Sequence, residues 1–220
     1  MCNGVALGGE YTEDVHFWTL SIRQFWPSKA SSDINSKKDD IMSNPKLLTI
    51  SGALRKGSFN RMLLAEAADA FGEAEVTQAD LNLPLYDGDL EEASGVPAQV
   101  QTLANQIAAA DAIVIAAPEY NKGISGVLKN ALDWVSRVEG NVLEDKPTVV
   151  LSAAAGRTGG ETAQFMTLSC LAQLQVRLIP GAQVLVAASY EAFDDAGKLK
   201  SELNQNALNA RMQKLRAEVV

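Results

Sequence analysis

From Lys46 onward, short apolar runs alternate with amphipathic stretches, and this alternation constrains the fold more than any other feature of the chain. Lys46-Leu47-Leu48-Thr49-Ile50-Ser51 reads as a buried strand. Asn60 to Phe71 follows as a helix with Met62, Leu63, Ala67 and Phe71 inward, stopped by Gly72 where a C-cap prefers glycine. Glu75 to Leu81 is a weaker second strand, and Leu83 to Asp89 is a loop by its Pro, Gly and Asp content. Pro97 opens a helix in which Val100, Leu103, Ala104, Ile107 and Ala108 recur at helical spacing. Ala112 to Ala116 is apolar at every position, as a strand covered on both faces must be. Ser125 to Val138 is helical, Pro147 to Leu151 a fourth strand, and Gly160 to Val176 a helix. Ala182 to Ala187 is a fifth strand, and Lys198 to Ala217 closes the chain as a helix. The pattern predicts an α/β fold, a doubly wound five-stranded parallel sheet with helices on both faces, because right-handed crossovers put them there.

In such sheets a ligand sits outside the carboxyl ends of the strands, at the switch in strand order. Three loops therefore carry the functional information: Gly52–Phe59, Pro118–Ile124 and Ser152–Gly159. The first offers an anion the N–H groups of a helix start, with Arg55, Ser58 and Asn60 as polar groups. It has neither the Gly-Lys-Ser/Thr of a Walker A loop nor the glycine spacing of a dinucleotide fingerprint, so it suits a mononucleotide phosphate held without a metal. On the blander reading Asn60 is only an N-cap and Arg55 a solvated turn residue. The second loop, Pro118-Glu119-Tyr120-Asn121-Lys122-Gly123-Ile124, offers a flat surface whose N–H groups can bond a planar heterocycle; alternatively Tyr120 merely covers the turn. The third loop's small residues let a ligand lie against the backbone, or simply connect strand to helix.

The single histidine, His16, precedes this patterned region, so 42–220 contains none. That removes Ser/Cys–His nucleophile pairs, His-ligated metals and His acid–base catalysis from the domain. A formal net charge of −8 disfavours nucleic acid and anionic membrane as partners. No apolar run approaches the roughly 18 residues of a membrane span. Cys2 and Cys170 are too far apart in sequence for a disulfide framework or metal cluster to be read.

Residues 1–41 differ in character. They hold Trp18 and Trp26 and show no sustained period, and Glu10, Glu13 and Asp14 stand where an export signal needs a basic start. Met42-Ser43-Asn44-Pro45-Lys46 reads like an ordinary chain start, so the expectation is a disordered or mis-assigned leader over 1–41 and one cytoplasmic domain over 42–220.

Ser-Gly-Ala-Leu-Arg-Lys-Gly-Ser-Phe-Asn (51–60), Pro-Glu-Tyr-Asn (118–121) and Gly-Val-Leu-Lys-Asn-Ala-Leu-Asp-Trp (126–134) closely resemble the NADPH-dependent FMN reductases, a family with chromate, quinone and azoreductase-like members. The resemblance implies a flavodoxin-like fold, FMN as cofactor and NADPH or NADH as co-substrate. Mapped onto this sequence, the phosphate loop is Ala53, Leu54, Arg55, Lys56, Gly57, Ser58, Phe59 and Asn60. The isoalloxazine loop is Pro118, Glu119, Tyr120 and Asn121, with a further contact near Ala153. Ala53 and Ala153 stand where the family often carries Ser, which gives up a hydroxyl bond worth roughly 0.5–1.5 kcal/mol each. Thr162 stands where an Arg is common at subunit contacts. The resemblance also implies a homodimer or homotetramer and a ping-pong transfer of hydride to a quinone, chromate, azo compound or free flavin, with no protein general acid. The rivals are a flavodoxin-type electron carrier, a flavin-binding regulatory module, and a phosphoacceptor receiver. The last would need acidic residues where Ser51 and Pro118 stand.

Overall fold

The computed structural model describes residues 44–219. The expectations for the 1–41 leader and the Met42 start lie outside the described residues. The strands are β1 (Lys46–Ser51), β2 (Glu75–Gln78), β3 (Ala112–Ala116), β4 (Glu119–Tyr120), β5 (Gly123–Ile124), β6 (Pro147–Ala153), β7 (Arg177–Leu178) and β8 (Leu185–Val186). The helices are α1 (Phe59–Phe71), α2 (Gly88–Ser94), α3 (Ala98–Ala109), α4 (Gly126–Val135), α5 (Glu161–Gln173), α6 (Ser189–Ala192) and α7 (Glu202–Arg216).

The main sheet runs β2-β1-β3-β6-β7, all parallel, with β8 also pairing β6. Strand order reverses between β1 and β3, which pair from Leu47↔Ala112 to Ser51↔Ala116. The period of two divides the strand residues between two cores. Leu47, Val114, Ala116, Val149 and Leu151 pack under α1 and α7, whereas Leu48, Ile50, Ile113, Ile115 and Val150 pack with apolar residues of α3, α4 and α5. Both faces are thus covered, and β3 is buried at every residue.

The sheet differs from the expected one at its edges. The fifth strand is in two pieces: β7 pairs the start of β6 at Thr148↔Leu178, and β8 pairs its end at Ala153↔Val186. Pro180, between them, has no N–H for a ladder bond. The second strand stops at Gln78, because the Asp80 carboxylate takes the Asn82 N–H in a local turn. The fourth strand runs two residues further than expected, taking Ser152 and Ala153 out of the third loop. The predicted loop at Leu83–Asp89 runs into α2, capped by the Asp87 carboxylate on the Asp89 N–H.

Candidate active site at the carboxyl edge

Ser58 is the N-cap of α1; its hydroxyl accepts from the Asn60 N–H at 3.2 Å. Among the described residues, no acceptor takes the backbone N–H groups of Leu54, Arg55, Lys56 or Gly57. These groups precede a helix of 13 residues, so several donors and the positive end of a helix dipole meet in one loop. The Arg55 guanidinium stands 5.9 Å from the centre of the Phe59 ring, and that ring stacks on Phe193 at 5.9 Å. The loop fits a phosphate through its backbone donors, Ser58 and Arg55.

Asn60 has a different task from the polar grip expected of it. Its Nδ2 donates to the Ala153 carbonyl at 2.8 Å, and its Oδ1 accepts from the Ala153 N–H at 3.0 Å. The side chain is buried and ties the start of α1 to the end of β6. Ser58, not Asn60, is the cap.

Two more buried hydroxyls complete the frame, and sequence reasoning had not singled out either. Ser125 caps α4 by accepting from the Leu128 N–H and donates to the Gly52 carbonyl at 2.7 Å, joining the first loop to the second. Ser152 donates to the Ala117 carbonyl at 2.6 Å, joining the second loop to β6. Both close approaches need glycine. A Cβ on Gly52 would stand 2.7 Å from Pro118 Cδ, and one on Gly160 would stand 2.0 Å from Ser152 Oγ. The signal available in the sequence was the presence of Gly and Ser in or directly beside each of the three loops.

The second loop is a β-hairpin, with β4 paired antiparallel to β5. Asn121 (φ 51°) and Lys122 (φ 63°) form its turn. Positive φ at both central positions matches the right-handed twist of a two-residue hairpin. Tyr120 is more than half exposed beside that turn. Glu119 is not a surface group: its side chain is 9% exposed. One carboxylate oxygen accepts from the Thr162 N–H at 3.0 Å and the Ala163 N–H at 3.4 Å, and the other meets Lys122 Nζ at 3.0 Å. Burial pushes the Glu119 pKa up, but the Lys122 ammonium and the two N–H groups outweigh it and hold it below the ordinary carboxylate value.

Ala153 is buried, whereas Ala155, Gly156, Arg157 and Thr158 are exposed at the same edge. The sequence-expected residues thus converge, although Asn60 and Glu119 turn their side chains to protein partners. The sheet edge brings together the N–H donors before α1, the hairpin and the exposed small residues of the third loop. Such an edge can hold a planar cofactor by its tail and leave a ring face to a second reactant.

A doubly wound sheet places a ligand outside the carboxyl ends of its strands at the switch point, where the N–H donors before α1 suit an anionic group. A model of the NADPH-dependent FMN reductase family matches residues 45–191, and the chain belongs to that family of oxidoreductases. It is 38% identical over 179 residues to an NAD(P)H-dependent FMN reductase of Pseudomonas aeruginosa, covering 80% of this chain and 94% of that protein. It is 34% identical over 177 residues to a 2-hydroxy-1,4-benzoquinone reductase of a Burkholderia species, covering 79% of this chain and 96% of that one. Among solved structures, a flavoenzyme NAD(P)H:acceptor oxidoreductase of Paracoccus denitrificans superposes with a TM-score of 0.71 at 26% identity, covering 80% of this chain and 97% of that one.

Proposed function

We propose that this chain is an FMN-dependent NAD(P)H oxidoreductase that reduces a small acceptor: a quinone, chromate, an azo compound or free flavin. The observation that carries the reading is the run of N–H groups before α1 that no acceptor among the described residues takes, in a loop locked to the hairpin and β6 by Ser125, Asn60 and Ser152. The N–H groups of Leu54 to Gly57, the Ser58 hydroxyl and Arg55 would hold the phosphate. Pro118, Tyr120, Asn121 and the backbone at Ala153 would frame the ring. Bound FMN supplies the chemistry, taking hydride from a nicotinamide and passing electrons to the acceptor.

The chain's own residues orient the reactants. The 42–220 region holds no histidine, and Glu119, the carboxylate of these loops, is kept ionised and engaged. Protons that accompany acceptor reduction therefore come from water at the open edge. The reading includes a homodimer or homotetramer, as the family resemblance implies. It places the enzyme in the cytoplasm, where reduced nicotinamide is made.

Steady-state NADPH oxidation by FMN-loaded protein, with 1,4-benzoquinone as acceptor, tests the reading. Turnover that requires both FMN and quinone is expected. Oxidation of neither NADPH nor NADH would sink the reductase assignment and leave a carrier.

A further inference from the structure

The hairpin that carries Tyr120 and Asn121 has only two residues in each strand, and a ribbon that short does not hold its own geometry in water. Its turn places Lys122 in the left-handed region, which costs roughly 1–2 kcal/mol per non-glycine residue. Something outside the hairpin must hold it. The opposite need exists at α5: its N-cap, Gly160, has no side chain with which to cap the helix.

Glu119 meets both needs. Its carboxylate reaches across 43 residues of sequence to the Thr162 N–H and 44 to the Ala163 N–H in the first turn of α5, where the helix dipole favours negative charge. Its second oxygen receives Lys122 from within the turn. Met166, one turn along α5, approaches Gly123 on the other hairpin strand: a Cβ on Gly123 would stand 3.8 Å from Met166 Sδ. The hairpin is thus fastened to α5 by a charged cap on one strand, with Met166 of α5 standing beside the other.

We infer that Glu119 is a positioning residue that clamps the 119–124 hairpin to the N-terminus of α5 and so presets the platform for the flavin ring. The inference rests on the FMN reading above and deepens it. Glu119 acts on the ring through Tyr120 and Asn121 and not by contact of its own.

The test uses the full-length apo-protein, its Glu119→Ala and Glu119→Gln variants, and Lys122→Ala. Two quantities are read: amide hydrogen exchange by peptide mass spectrometry, and FMN affinity from quenching of flavin fluorescence. In Glu119→Ala, exchange over 119–124 and 161–164 should rise about tenfold while β3 stays unchanged, and the FMN dissociation constant should rise about tenfold. Glu119→Gln keeps an acceptor for the two N–H groups and should recover part of both effects. Lys122→Ala, which leaves the cap, should shift both quantities less than Glu119→Ala.

A Glu119→Ala variant with wild-type affinity overturns the inference alone, even if its hairpin exchanges faster, because the clamp would then be structural only. Equal losses in the Gln and Ala variants also overturn it, since acceptance of the two N–H groups would not matter. Wild-type protein that takes up no FMN overturns the flavin reading, and the inference falls with it.

Discussion

The two ends of the sheet are held together in different ways. At the carboxyl end, Asn60, Ser125 and Ser152 are buried, and each bonds to a backbone group of another loop or strand. At the amino end the ties are exposed or only partly buried: Asp111 accepts from the Lys46 N–H at 2.8 Å, and Lys146 Nζ donates to the Ala108 carbonyl at 2.7 Å and to the Ala110 carbonyl at 2.8 Å. The amino end also has a hollow of about 320 Å3, lined in part by Lys46, Leu48, Glu75 and Gln106. No acid–base set or anion loop accompanies that hollow among the described residues. Buried polar bonding is costly to build and fixes one geometry, and at the carboxyl end it ties together the three loops of the proposed site.

The largest expected effect comes from Gly160→Ala. The new methyl would meet Ser152 Oγ at a position with φ 94°, and about 3 kcal/mol of unfolding free energy should be lost in a denaturant titration. A loss under about 1 kcal/mol would show that the carboxyl-end packing is looser than the contacts imply.

Next comes a matched pair. Asn60→Ala leaves the Ala153 N–H and C=O unpaired and should cost about 2 kcal/mol, while Asp111→Ala at the exposed end should cost about 0.5 kcal/mol. Equal losses in the same titration would erase the contrast between the ends.

Arg55→Ala separates binding from folding. FMN affinity should fall about tenfold while the thermal midpoint stays where it is, because Arg55 is exposed. An unchanged dissociation constant counts against the phosphate assignment.

The smallest effect concerns pH. The folded-state pKa of Glu119 lies below its ordinary value of 4.5, so its stabilisation is complete above that value and is lost as pH falls through the lowered one. Thermal midpoints of wild type and Glu119→Gln should differ at neutral pH and converge in acid. A gap that widens in acid would contradict the sign.

The sequence disclosed most where burial is two-sided. β3 was legible because every residue is apolar, and β1 because Leu47, Leu48 and Ile50 put apolar side chains on both faces, as strands in the middle of a parallel sheet need. The fifth strand was less so: the run Ala182 to Ala187 holds β8, whereas β7 is only two residues long, lies on the far side of Pro180 and shows only in the partner register. The hairpin was hidden because Asn121-Lys122 lacks the glycine that usually announces such a turn. The site loops were legible as places. The role of Asn60 was not, because its partner lies 93 residues away. A polar residue at a helix start gives no sign of whether it faces a ligand or another strand.

The central claim is that the carboxyl edge is an FMN site open to a nicotinamide. Anaerobic addition of NADPH to protein reconstituted with FMN tests it most directly. A yellow protein whose flavin absorbance bleaches and returns when a quinone is added is the expected result. A protein that stays colourless after incubation with FMN, or whose bound flavin NADPH leaves unchanged, would contradict it.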